Sequence, residues 1–338
     1  MIVRSRAPVR ITFGGGGTDL SPYDEEHGGL CLGATINRYS YCSLERRVNP
    51  QINIGSWKVG NGQSFENLQE VSYNGDADLI KAAVKQMQPR FGFEIYLRSD
   101  IQPHSGLGGS ASACVAIIGA FNYFKDKDRL TSYQVAEHAF LVEQEELKNK
   151  GGRQDQYAAV FGGINFYEFL GGDIVRVNPV HMKEGDLLEL EKNLLVVHVG
   201  ERGKSSGEVH LEEFKTGAHT DSSKIEKLDT IKEIAKRMEY ALRTGDLQTF
   251  GELVRESWRL KKEFNPKVTN DYVDKLNETA LRNGAIGGRL MGAGGGGHML
   301  FYCHPNTEQI VREKLEGLGA KVLDFSFDFK GLQTWEVN

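Results

Sequence analysis

The chain has 338 residues, enough for two domains of ordinary size, and its 39% hydrophobic content supports buried cores. With 41 basic against 46 acidic residues the formal net charge is −5, which argues against a nucleic-acid or membrane-surface partner. Cys31, Cys42, Cys114 and Cys303 are scattered and form no C-x-x-C pair. They read as reduced thiols of a cytoplasmic protein, in keeping with the lack of a leader-like opening or an apolar run of membrane-spanning length.

Residues 2–13 alternate loosely and predict a strand that runs into Gly14-Gly15-Gly16-Gly17-Thr18-Asp19. A strand ending in four glycines suggests a pocket wall flanked by Arg10 and Asp19. The plain alternative is a surface arginine and a turn cap. Further strands are predicted at 30–47 and 52–59, then a polar irregular stretch at 61–74 and a helix at 77–87. Residues 93–101 predict a strand, followed by Pro103-His104-Ser105-Gly106-Leu107-Gly108-Gly109-Ser110-Ala111-Ser112 and a buried helix from 111 to 124. A strand, a glycine loop and a helix start together form a place where backbone N–H groups and the helix dipole hold an anion. The loop has no G-x-x-x-x-G-K-[ST] pattern and no lysine, so it is not a Walker P-loop.

Thr131-x-x-Gln134 is a capping box for a helix running to about 148. Ala136, Ala139 and Glu143 share one stripe of it, with Glu146 close by, and spacing alone does not choose between the two carboxylates. Gly151-Gly152 ends that helix. Arg153-Gln154-Asp155-Gln156 opens a short one over 157–161, stopped by Gly162-Gly163. Asp155 then sits in a first turn, where the dipole favours its ionised form. A hairpin is predicted from 164–169 and 173–177 around Gly171-Gly172.

A boundary is expected over 179–191, then a buried strand at 194–199 and a polar loop carrying Arg202, Lys204, Ser205 and Ser206. Helices follow at 223–244, 247–263 and 270–283. Lys261 on the second of these reads as either a solvated charge or a ligand contact. Residues 286–291 lead into Gly292-Ala293-Gly294-Gly295-Gly296-Gly297 and a strand at 298–303. The remainder predicts a helix at 308–318 and strands at 321–329 and 332–337.

Three glycine segments in this order, Arg6-Ala7-Pro8-Val9-Arg10 with Thr18-Asp19, the 103–112 loop, and the 292–297 loop, resemble the GHMP kinase superfamily over nearly the whole chain. Within it the Arg-Ile-Thr-Phe-Gly-Gly-Gly-Gly-Thr-Asp start and the Gly-Gly-Arg-Gln-Asp-Gln-Tyr-Ala-Ala segment are similar to the D-glycero-D-manno-heptose 7-phosphate kinase branch. The resemblance implies an α+β, two-domain fold: an N-terminal domain like domain 2 of ribosomal protein S5 over 1–188, and a C-terminal ferredoxin-like α/β sandwich over 189–338. It implies ATP and Mg²⁺. Pro103, Ser105, Gly106, Leu107, Gly108, Gly109, Ser110, Ala111 and Ser112 would hold the nucleotide. Ser110 and Glu143 would be the metal ligands, Glu143 being chosen over Glu146 because it lies twelve residues before the catalytic aspartate. Asp155 would be that aspartate, with Arg10 beside it. Gly16, Gly17, Thr18, Asp19, Gly152, Gly294 and Gly295 would face the sugar, with Arg202 and Lys204 preferred for its phosphate and Lys261 and Arg289 as further candidates. Two positions depart from the pattern. Gly109 stands where many members have a first serine, and Gly16 stands where galactokinases have a glutamate. The implied reaction is ATP-dependent phosphorylation of the sugar's anomeric O1 to give a 1,7-bisphosphate, with a homodimer as a compatible assembly. Alternatives are a fucose- or galactose-type sugar 1-kinase, and a non-catalytic sugar and ATP sensor on the same scaffold.

Overall fold

The first strand, β1 (Ile2–Gly14), is long because its apolar residues keep strand period until the glycines begin, and Val3, Ala7, Val9, Ile11 and Phe13 are all buried. It pairs antiparallel with β2 (Gly29–Arg46), beyond which lie β5 (Phe93–Ser99), β3 (Ile52–Ser56) and β4 (Val59–Phe65). The β5 to β3 pairing is parallel. The hairpin strands β6 (Ile164–Phe169) and β7 (Val175–Pro179) attach to β2. The computed structural model describes residues 1–56, 59–125, 127–201, 208–209 and 221–337. Arg202 and Lys204, with Ser205 and Ser206, lie outside the described residues.

Helix α3 (Gly109–Tyr123) lies on β1 and β2 of this sheet, and α2 (Asp78–Met87) packs against α3. From Ala111 to Phe121 every residue of α3 is buried, as its unbroken apolar run requires. Next come α4 (Ser132–Leu141), opened by the complete Thr131–Gln134 capping box, and α5 (Gln154–Phe161). After α6 (Glu184–Asn193) the chain builds a second, four-stranded antiparallel sheet. Its order is β11 (Lys321–Leu323), β8 (Leu194–His198), β10 (His298–Cys303), β9 (Ala285–Leu290). It packs with α7 (Ser222–Thr244), α8 (Leu247–Phe264), α9 (Asp271–Arg282) and α10 (Glu308–Glu316). One apolar cluster joins the halves, with Val9, Ile11 and Phe13 of β1 meeting Ile231, Met238, Phe250 and Leu253 of α7 and α8. The final strand β12 (Gln333–Val337) returns to the first sheet and pairs antiparallel with β1.

Several expectations are corrected. Residues 59–65 form the edge strand β4 rather than an irregular stretch. Their polar composition suits an edge, which repels further pairing. Helix α6 occupies most of the stretch 179–191 and runs on to Asn193, where only a connecting segment was expected. The predicted helix 131–148 is α-helical only to Leu141, and Val142–Glu146 is a π turn. The predicted strand 321–329 ends at Leu323. Beyond it Phe327 forms one isolated bridge to Ile36 as the chain crosses between the sheets.

Candidate active site

Arg10 lies on β1 and is almost wholly buried, at 6% exposure. A buried guanidinium needs an anion, and Asp155 in the first turn of α5 supplies it. Arg10 Nε and Nη2 donate to the two carboxylate oxygens of Asp155 at 2.8 and 2.9 Å, a planar bidentate pair. The third nitrogen of Arg10, Nη1, donates to the Gly106 carbonyl, and its backbone N–H donates to the Leu107 carbonyl at 3.0 Å. The first strand therefore carries both the glycine loop and the aspartate. Gly108, at φ +74°, lets the loop run against that aspartate: a Cβ there would stand 3.1 Å from Asp155 Oδ2.

Glu143 projects from the π turn. The extra residue in this turn shifts the carboxylate relative to the α-helical stripe and buries it. Ser110, in the first turn of α3, donates to Glu143 Oε1 at 2.7 Å, and Gln156 Nε2 donates to Oε2 at 2.6 Å. Burial pushes the Glu143 carboxyl above its ordinary value and the charge of Asp155 adds to this, while the bonds from Ser110, Gln156 and Asn149 act the other way. Gln156 Oε1 is buried with no hydrogen-bond partner. A serine hydroxyl, a carboxylate and an orphaned amide oxygen are all hard oxygen donors, which fits Mg²⁺. Among the described residues no group of three or more His, Cys, Asp or Glu forms a closed metal cage. A cation held by Ser110 and Glu143 would complete its shell from phosphate oxygens and water. Glu146, the rival carboxylate, accepts a bond from the Tyr73 hydroxyl instead.

The glycine turn after β1 is fixed through Asp19, which is 3% exposed and accepts from the Gly17 N–H at 3.1 Å. Gln154 Nε2 reaches the same oxygen at 3.4 Å, and Thr12 Oγ1 donates to Gln154 Oε1 at 3.1 Å. Behind this turn the Asp24 carboxyl is pushed up to about 6, by burial first and by the neighbouring Asp19 second.

One cavity of about 390 Å³ collects these groups. Arg10, Gly16, Gly17, Asp19, Glu143, Gly152 and Asp155 line it, as do Pro103, Ser105, Gly106, Gly108, Gly109 and Ser110 of the loop. Lys261 and Arg289 close it from the second half of the chain. Among the described residues, the other predicted positions stand behind the wall. Leu107 and Ala111 are core residues, and Ser112 Oγ donates to the Ala7 carbonyl at 2.7 Å. The Thr18 hydroxyl is spent on the backbone of Gly15 and Leu30, at 2.8 and 2.9 Å. Gly294 and Gly295 pack on Val268, Gly295 N–H donating to its carbonyl at 2.8 Å. Sequence reasoning gave Gln154 and Gln156 no role. The available signal was two amides flanking Asp155 in a first helical turn. It also missed that His298 Nδ1 meets the Ser105 carbonyl at 2.8 Å, tying the third glycine segment to the central loop.

Known proteins resemble the chain in sequence and in fold. A family model of the GHMP kinases N terminal domain matches residues 78–163, and one of the GHMP kinases C terminal domain matches 238–321. The chain is 33% identical to a D-glycero-alpha-D-manno-heptose 7-phosphate kinase of Campylobacter jejuni, over 99% of both chains. A solved D-glycero-D-manno-heptose 1-phosphate kinase from Bacteroides thetaiotaomicron superposes with a TM-score of 0.82 at 31% identity, covering 99% of each chain. A putative sugar kinase from Campylobacter jejuni superposes at 0.80 with 32% identity, covering 99% of this chain and 98% of that one. The paired Arg10 and Asp155, the glycine loop beside them and these likenesses lead to one assignment: the chain belongs to the GHMP kinase family, phosphotransferases with an alcohol acceptor.

Proposed function

We propose that the protein transfers the γ-phosphoryl group of ATP to the anomeric O1 of D-glycero-D-manno-heptose 7-phosphate, giving the 1,7-bisphosphate. The observation that carries this reading is Asp155, gripped through both oxygens by Arg10 at the wall of a cavity that also holds the glycine loop. Its setting is a chain 33% identical to a kinase named for that substrate. Phosphoryl transfer asks a protein mainly for positioning and charge neutralisation. Asp155 accepts the proton of the attacking hydroxyl. The new O–P bond forms as the bond to the ADP oxygen breaks. Arg10 orients Asp155 through both of its oxygens and faces the charge that develops. The loop N–H groups and the start of α3 cradle the nucleotide phosphates. Bound Mg²⁺ would neutralise phosphate charge, with Ser110 and Glu143 as its protein ligands. The reading extends to a cytoplasmic enzyme whose product serves nucleotide-activated heptose for cell-surface polysaccharide.

The test is ATP turnover on heptose 7-phosphate, heptose 1-phosphate and unphosphorylated heptose, with the product position read by phosphorus NMR. Heptose 7-phosphate should be preferred over the neutral sugar by about two orders of magnitude in kcat/KM, the equivalent of two charge-assisted phosphate contacts of roughly 1.5–3 kcal/mol each, less their desolvation. Equal use of both sugars would favour a fucose-type kinase. Sugar and ATP binding without turnover would favour a sensor.

A further inference from the structure

Arg289 is a buried cation in the cavity wall that the reaction as described leaves unused. It lies on β9, in register with Leu300 of β10, and is 2% exposed. Its Nη1 donates to the Phe13 carbonyl at 2.6 Å and to Ser257 Oγ at 2.9 Å. Its Nε is buried without a partner, and among the described residues no carboxylate pairs with it. The neighbouring guanidinium of Arg10 repels it. With burial as the larger cause, this lowers its pKa to about 10, still fully protonated at neutral pH. Arg10 has its own carboxylate in Asp155, and Arg289 has none. A buried, unpaired cation is costly unless an anion arrives to offset it.

The neighbourhood repeats the signal. Ser257, which orients Arg289, and Lys261 are four residues apart on α8 and so share one face of it. Lys261 lines the same cavity and donates to the carbonyls of Gly292 and Leu290, at 2.5 and 3.4 Å. A neutral hydrogen-bond donor would suffice to hold the Phe13 carbonyl, so a guanidinium there is more than packing needs. Phe13 is three residues beyond Arg10 on β1, about 10 Å along an extended strand. Arg289, bonded to the Phe13 carbonyl, is therefore attached to β1 further along the strand than the Arg10–Asp155 pair.

We propose that Arg289, with Lys261 beside it, forms the subsite for the non-reacting phosphate of the substrate. The proposal rests on the phosphorylated-sugar reading above and assigns its phosphate to residues of the second sheet and α8. The subsite takes a phosphate dianion and, by its distance from Asp155, sets how far the phosphate stands from the hydroxyl that reacts.

Two measurements test it. In Arg289→Met, kcat/KM for heptose 7-phosphate should fall about 100-fold, mainly through KM, and the preference over neutral heptose should shrink below about 10-fold. Arg289→Lys, which keeps the charge and loses the fork, should fall in between. An intact preference in Arg289→Met, or an equal fall on both sugars, overturns the proposal. The equal fall would instead place Arg289 at the transferred phosphoryl group. The second measurement is calorimetric titration of inorganic phosphate into protein saturated with Mg²⁺ and a non-hydrolysable ATP analogue. Wild type should bind phosphate, with affinity at least 10-fold weaker in Arg289→Lys and Lys261→Met. Absence of binding by the wild type, or wild-type affinity in both variants, overturns the subsite even where Arg289→Met does not fold. A wild type that ignores heptose 7-phosphate yet binds phosphate through Arg289 would remove the heptose 7-phosphate reading and keep the anion subsite.

Discussion

At the scale of single residues, the carboxylates of Asp155 and Glu143 share a cavity and differ in what surrounds them. Asp155 is gripped through both oxygens by Arg10. Asp155→Asn should leave folding and nucleotide binding in place and lower turnover by roughly two orders of magnitude or more. Single-turnover kinetics beside nucleotide titration checks this, and near wild-type turnover would remove Asp155 from the mechanism. Glu143 is the opposite case, a buried carboxylate held by a hydroxyl and an amide with its pKa raised. Its folded pKa lies above its unfolded one, so the stability linked to its proton is full below the unfolded pKa and is lost as pH rises through the folded one. Glu143→Gln should therefore raise the melting temperature of the nucleotide-free protein at pH 7–8, by roughly 1–2 °C for each kcal/mol regained in a chain of 338 residues. The same variant should need more Mg²⁺ for half-maximal rate. A lower melting temperature with an unchanged Mg²⁺ titration would contradict both halves.

At the scale of elements, the three glycine segments were legible because each combines a composition that packing does not need with a strand or helix beside it. The family resemblance, through the motif's twelve-residue interval to the aspartate, favoured Glu143, yet its geometry was hidden. A π turn leaves no mark in an apolar stripe that continues through it, and only the fold shows Glu146 diverted to Tyr73. The bond from His298 to Ser105 was hidden for another reason: it joins residues 193 apart in sequence. A carbonyl only accepts, so Nδ1 carries the proton, and burial lowers the His298 pKa from 6.5 to about 4, leaving the ring neutral. Here the folded pKa lies below the unfolded one. The stabilisation is present above pH 6.5 and is lost as pH falls through 4, up to on the order of 2–3 kcal/mol. Melting temperature followed from pH 7 to 4 should fall less steeply in His298→Asn than in wild type, and KM for ATP should rise as the central loop loses its anchor. Parallel melting curves would show that the imidazole has no such role.

At the scale of the whole molecule, the two sheets meet through β1, whose residues enter both the shared apolar cluster and the cavity wall. The crossing from Leu323 to β12 was not readable, because residues 324–332 alternate like a strand while serving as a strap between sheets. β12 fastens that strap, with Ile2 opposite Val337 and Arg6 donating twice to Gln333 Oε1 at 2.9 and 2.8 Å. Deleting residues 333–337 touches no cavity residue, so it should lower the melting temperature by several degrees and leave KM for ATP near wild type in the folded fraction. A shifted KM with intact stability would mean that the strand acts on the site. The pairing also sets an order of events during synthesis. β1 leaves the ribosome before, and β12 after, every other described strand, so at roughly 5–20 residues per second the outer edge of β1 stays open for tens of seconds. During that interval a nascent chain presents a long, largely apolar strand edge to its neighbours on the same polysome. Yield of soluble protein should then depend on translation rate and on chaperones that shield strand edges, more than on the stability of the finished fold.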